Sequence, residues 1–253
     1  MAIFDTHAHY DDSAFDSDRD ETLERVHKTV GHIINCCADI KSLSEVPALA
    51  EKYDFIYFAA GLHPEEISDA DDDTLQKIKS AALHKKCVAV GEIGLDYHLD
   101  GKNNKAKQQE WFKKQLELAK ELELPVIIHS RDAAADTLEI LKAYRPKGVM
   151  HCFSGSPETM REILDIGMYI GLGGVVTFKN AKNAALCAAE VPPDRLLLET
   201  DCPYMAPVPF RGTRNDSSLI YYVAEKIASL RGLSPDALIN AAEQNAKLLF
   251  GIE

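Results

Sequence analysis

No stretch of the 253-residue chain approaches the roughly 18 consecutive apolar residues of a membrane-crossing helix, so no membrane partner is expected. The opening MAIFDTHAHYDD has few apolar residues before Asp5, and many Asp and Glu follow it. That is unlike a signal or transit peptide, so a cytoplasmic location is expected. None of the six cysteines (Cys36, Cys37, Cys87, Cys152, Cys187, Cys202) stands in a CxxC pair, and a chain this long needs no disulfide staples. Reduced thiols are the expectation. Positive charge is scarce. Lys and Arg number 28 against 40 Asp and Glu, a formal net charge of −12, which argues against tight non-specific coating of nucleic acid but leaves room for a local basic site. Repeats of 20–50 residues, low-complexity segments and Pro/Gly/Ser linkers are also absent, so residues 1–253 read as a single domain, expected to be a monomer.

What the chain does have is alternation. Short apolar runs (AIFDTH, HIINCC, FIYFAAGL, CVAVGEI, PVIIHS, GVMHCF, MYIGLGGVV, RLLLETD) show little period-two polarity, as strands buried on both faces do. Between them lie stretches with apolar residues at helical spacing, from ETLERVHKTV to SSLIYYVAEKIASLRG. A further helix, LSPDALINAAEQNAKLLFG, has a start signal at Ser234-Pro235-Asp236 and a stop at Gly251. Eight strand–helix units over about 250 residues predict an α/β chain folded as a (β/α)8 TIM barrel with an extra C-terminal helix. An open doubly-wound sheet is the runner-up. It usually carries a Gly-rich phosphate loop after its first strand, and here HAHYDD fills that slot.

The strand ends hold the chemistry. His7 and His9 end strand one, His63 follows strand three, Glu92 follows strand four, His129 ends strand five, His151 lies near the end of strand six and Asp201 follows strand eight. In a barrel all of these reach the carboxyl-terminal face, where active sites are built. One strand-end histidine is ordinarily a satisfied polar residue, and an HxH pair is weak evidence by itself. Five histidines and two acids on one face predict a metal centre. His7, His9, Glu92, His129, His151 and Asp201 are too many ligands for one tetrahedral ion and suit two divalent ions. Glu92 would bridge them, with His7, His9 and Asp201 mainly on one and His129 and His151 on the other. Asp201 could also take a proton from an attacking water. The imidazole share favours Zn or Mn over Mg.

Cations follow the same strand ends: Arg131 beside His129, Lys179 and Lys182 after strand seven, Arg211 and Arg214 in PFRGTRND. Grouped there they resemble phosphate clamps and predict a basic mouth on an acidic body. His63, not needed as a ligand, could hold a phosphate or protonate a leaving group. Tyr97, Phe153, Phe178, Tyr204 and Phe210 near the mouth could stack on bases, though packing explains each equally well. Cys152 and Cys202 adjoin ligands, and strand alternation is expected to turn both away. Asp5 reads as a structural residue of strand one, and Asp11 and Asp12 as loop residues.

FDTHAH, GLHP, GEIGLDYH, PVIIHSRDA, HCFSG, GLGGVVTFKNA and LLLETDCPYMAPVPFRGTRN, spread over nearly the whole chain, resemble the TatD family of metal-dependent deoxyribonucleases. The resemblance implies a barrel hydrolase that cuts DNA phosphodiesters with divalent metal, often as a 3′→5′ exonuclease on single strands or 3′ ends. It places the family's metal ligands on the six residues already found, and its substrate contacts on His63, Arg131 and the Arg211–Asn215 stretch. Members are commonly described as Mg-dependent, which leaves Zn, Mn and Mg open. The chain departs from the family after RGTRN, where an acid and then proline are common and Asp216 is followed here by Ser217. A small-molecule amidohydrolase or phosphoesterase on the same scaffold is the alternative. Glu92 in place of the strand-four lysine of some dimetal amidohydrolases, together with the arginines, weighs against it.

Overall fold

The computed structural model describes residues 3–98 and 104–253. Eight strands, β1 (Ile3–Ala8), β2 (Val30–Cys36), β3 (Ile56–Ala60), β4 (Cys87–Asp96), β5 (Val126–Arg131), β6 (Gly148–Met150), β7 (Tyr169–Leu172) and β8 (Leu196–Leu198), form one sheet in sequence order. Each neighbouring pair is parallel. The ends meet just beyond β8, where Ala8 bridges Cys202, the His9 amide donates to Cys202 O at 2.8 Å and the Asp201 amide to His7 O at 2.9 Å. Helices α1 (Arg19–Val26), α2 (Ser42–Lys52), α3 (Asp72–Ala82), α4 (Lys105–Glu121), α5 (Ala134–Tyr144), α6 (Pro157–Ile166), α7 (Lys182–Glu190) and α8 (Ile220–Arg231) each follow a strand, and α9 (Pro235–Phe250) is the expected extra helix.

Both faces of the strands are buried, which explains their unbroken apolar sequence. One face fills the barrel: Phe4, Ile34, Ala59, Ile127, Tyr169 and Leu197 cluster inside it. The other, with Ile33, Phe58, Val90, Ile128 and Ile170, packs under the helices. α9 sends Ala246, Leu249 and Phe250 into the interior cluster, with the Phe250 ring 6.4 Å from that of Phe4 near the start of β1. The amino-terminal end is thus closed by an apolar plug, and the carboxyl-terminal end remains for polar groups.

The start and stop signals read for α9 hold, and other helices end in the same way. Ser156 and Ser234 cap α6 and α9 ahead of Pro157 and Pro235, and Gly167 and Gly251 end these helices at φ 97° and 68°. Asp71, inside the acidic run at 69–73, forms a capping box with Thr74. Three apolar runs behave differently. Val30 begins β2 rather than ending α1. GVMHCF leaves the sheet after Met150, and the end of the seventh run falls in a 3-10 turn, Gly174–Thr177. Gly174 is needed there, since a Cβ would lie 1.8 Å from Met205 O of the loop after β8.

Candidate metal centre

The barrel gathers the six predicted ligands at its carboxyl-terminal end. His7 Nε2 and His9 Nε2, two residues apart on the closing edge, face one another at 3.0 Å. Asp201 Oδ1 lies 3.8 and 3.6 Å from them. Asp201 sits beyond the end of β8 at φ 60°, a left-handed position that Asp tolerates better than most residues. Glu92, within β4, divides its oxygens. Oε2 is 3.2 Å from His7 Nε2 and 3.5 Å from His9 Nε2. Oε1 is 2.8 Å from both His129 Nδ1 and His151 Nε2, and 3.7 Å from His63 Nε2. His7, His9 and Asp201, separately His7, Glu92 and His151, and separately His63, Asp96 and His129, present ligand atoms close enough for one cation.

Burial sets the electrostatics. Left alone it would raise Glu92, but the facing His151, His7 and His63 and the hydrogen bond with His129 hold its carboxyl well below the usual range. Burial would likewise lower His9, His129 and His151. The carboxylates opposite outweigh it in each: Asp201 and Glu92 at His9, Asp96 and Glu92 at His129, Glu92 and Glu199 at His151, so all three rise. His7 and His63 instead fall, through burial above all, His63 to about 3. Several imidazoles are thus biased toward the charged form where their nitrogens converge on carboxylates, an attraction that a cation would satisfy in place of the protons. Four imidazoles with carboxylates fit a divalent transition-type ion.

Two acids that sequence reasoning passed over stand behind this set. Asp96 Oδ2 lies 2.9 Å from His129 Nε2. Glu199, fully buried, places Oε1 3.7 Å from His151 Nδ1 and accepts the Cys152 amide at 2.5 Å. Glu199 was visible as a charged residue inside the apolar run RLLLETD, whereas Asp96 lies beyond the predicted run CVAVGEI, because β4 continues to Asp96. Asp5, read as structural, is buried and accepts from the His7 and Thr200 amides and the Thr200 and Ser217 hydroxyls.

The centre opens into a cavity of about 780 Å³ whose wall overturns the expected basic mouth. Asp11, Asp12, Asp39, Glu65 and Glu66, from the loops after β1, β2 and β3, and Glu45, from the first turn of α2, line it against Lys41 and Arg131. Lys41 is itself paired with Glu45 at 3.1 Å. Arg131, the last residue of β5, lines the wall there; no salt bridge to its guanidinium is found among the described residues, though its charge helps hold Asp96 low. Arg211 and Arg214 do not line the cavity. Arg211 lies over the Phe178 ring at 4.3 Å, while Arg214 grips Asp18 with two hydrogen bonds of 2.7 and 2.6 Å and covers Phe15. Lys179 and Lys182 also lie off the wall, Lys182 opening α7. Of the five aromatics, Tyr204 alone lines the cavity, with its hydroxyl donating to Asp12 at 2.6 Å. Cys152 is not turned away: β6 has ended, a φ of 45° redirects the chain, and the residue joins the wall. Cys202 is buried as expected.

Comparison with known proteins places the chain among metal-dependent hydrolases. The family model described as TatD related DNase matches residues 4–251. The chain is 45% identical to an uncharacterized metal-dependent hydrolase, YabD, of Bacillus subtilis, over 99% of each protein. It is 33% identical to the 3'-5' ssDNA/RNA exonuclease TatD of Cronobacter sakazakii, over 98% of this chain and 97% of that one. The crystal structure of YJJV, a TatD homologue from Escherichia coli, superposes with a TM-score of 0.93 at 35% identity, covering 99% of this chain and 98% of that one.

Proposed function

The chain belongs to the TatD family of metal-dependent hydrolases, and from that premise we propose that it is a deoxyribonuclease that removes nucleotides from single-stranded 3′ ends with two divalent ions. One observation carries the two-ion reading: Glu92 turns Oε2 to His7 and His9 and Oε1 to His129 and His151. Charge supports it. Glu92, Asp96 and Asp201, whose carboxyls are held below their usual range by the facing imidazoles, bring negative charge to the site, and divalent ions would balance it. Bound there, such ions supply water activation and Lewis acidity toward a phosphoryl group.

The chain's own residues do the rest. Asp201, more open to solvent than Glu92, accepts the proton of the attacking water. His63 Nδ1 accepts the Glu65 amide at 3.2 Å, so the neutral ring carries its proton on Nε2, which points into the centre. With its pKa pushed down to about 3, His63 serves as a neutral donor to a phosphoryl oxygen rather than as an imidazolium acid. Arg131 grips a non-bridging phosphate oxygen. Arg211 meets the backbone further out, and Arg214, engaged by Asp18, shapes the loop.

The acidic wall supports end-cutting. A polyanion crossing the whole mouth would pass the carboxylates beyond β1, β2 and β3, whereas a strand entering over β5 with its terminus inside avoids them. The Cronobacter relative's name agrees in polarity. The cavity volume also suits a small-molecule ester or amide, which is the second reading.

Labelled linear and circular single-stranded oligonucleotides, incubated across Mg, Mn and Zn, separate the readings. Stepwise loss from the 3′ end of linear DNA, intact circles and no activity in Glu92→Ala are expected. Cutting of circles would end the end-cutting reading. Activity on small esters without any on DNA would establish the second.

A further inference from the structure

His129 and His151 differ from His7 and His9 in what stands behind them. His129 Nε2, the nitrogen turned from Glu92, meets Asp96 at 2.9 Å. His151 Nδ1, likewise turned away, is buried without a hydrogen-bond partner, 3.7 Å from Glu199 Oε1. Glu199 Oε2 is also buried and unpartnered. A buried donor on one side chain and a buried acceptor on its neighbour are each costly when unpaired. The fold makes room for that carboxylate: a Cβ on Gly171 would sit 2.4 Å from Glu199 Oε2. Behind the other pair stand neutral groups, both from Cys36: its Sγ is 3.4 Å from His7 Nδ1 and its carbonyl accepts from His9 Nδ1 at 3.0 Å.

The reason lies in the distribution of charge. The His7–His9 half has Asp201 as a carboxylate of its own. The His129–His151 half has only its share of Glu92. We propose that Asp96 and Glu199 are positioning residues for that second half alone: each fixes which nitrogen of its histidine faces the centre, and together they supply the negative charge it otherwise lacks. His129 then presents Nδ1 and His151 presents Nε2, opposite nitrogens from adjacent strands, because the acids sit on opposite nitrogens. A carboxylate behind a ligating imidazole raises its basicity and fixes its tautomer, and losing one typically weakens metal binding about 10–100-fold. The proposal rests on the two-ion reading above.

Calorimetric titration of the chelator-stripped, full-length protein with Mn²⁺ tests it. The wild type should bind in two steps. Glu199→Gln and Asp96→Asn should each weaken the same one step about 10–100-fold and leave the other unchanged, with the melting temperature of the metal-free protein preserved. Gly171→Ala, whose Cβ would lie 2.4 Å from Glu199 Oε2 and 3.3 Å from His151 Cα, should weaken that step too, and Glu199→Gln, which leaves the His151 backbone untouched, separates the two contacts. Equal weakening of both steps, or of neither, would overturn the proposal while leaving the two-ion reading intact. A wild type that binds one ion only would overturn both.

Discussion

Asp5 and Ser217, separated by 212 positions, are joined by a 2.6 Å hydrogen bond from the serine hydroxyl to the carboxylate. The Ser217 amide also donates to Tyr10 Oη at 3.0 Å, so the residue ties the entry of α8 to the segment carrying His7 and His9. Proline, common in the family here, has neither donor. Ser217→Ala should cost about 1–2 kcal/mol, and Ser217→Pro more, read as a lower melting temperature. Burial pushes Asp5 up to about 7 while the hydroxyls oppose that rise. Its folded pKa lies above its unfolded one, so its contribution is favourable at acid pH and fades as pH climbs through 7. Removing a donor to the carboxylate steepens that fade, so the Ser217→Ala deficit should be larger at pH 8 than at pH 5.

Arg131 and Arg214 should separate by phenotype. Arg131 lines the cavity without an ion-pair partner among the described residues, so Arg131→Ala should reduce kcat/KM on DNA about 10–100-fold and leave stability unchanged. Arg214 is held by Asp18, so Arg214→Ala should lower the melting temperature and affect catalysis less. Denaturation curves beside steady-state kinetics decide it.

Protons and metal should compete. In the metal-free protein His9, His129 and His151 are raised above their ordinary values by facing carboxylates. Their stabilisation is complete below about pH 6.5 and is lost as pH rises through the raised values. The chelated protein should therefore melt lower at pH 8 than at pH 6.5. Added Mn²⁺ should raise the melting temperature more at pH 8, where fewer protons must leave. Equal gains at both values would contradict this.

The acidic wall should govern affinity for the strand. Glu65→Gln with Glu66→Gln removes two charges from the loop after β3. KM for an oligonucleotide should fall several-fold at about 0.05 M salt, and the difference should shrink at about 0.5 M, where screening acts within a few ångströms. Cleavage of circular DNA by this variant would identify the wall as what confines the wild type to ends.

Much of the centre was legible before folding. Strands buried on both faces leave an apolar signature, and polar residues at their ends stand out against it, as His7, His129 and Asp201 do. Asp96 was missed because β4 runs three residues past the predicted strand CVAVGEI, and Glu199 because it meets the back of His151 rather than standing among the ligands. Cys152 was misplaced because β6 ends at Met150 and a left-handed turn breaks the alternation on which its orientation was read.

The sequence by itself determined the strand–helix alternation and the ligand types, because burial and chemistry act residue by residue there. Tertiary structure alone decided the sign of the mouth and the partners of its charges. Arg214 reads as a free cation until Asp18, 196 positions away, is seen holding it, and Asp11, Asp39 and Glu65 become one wall only where three loops converge. A charge acts through whatever lies within a few ångströms of it, and distance along the chain does not set that distance.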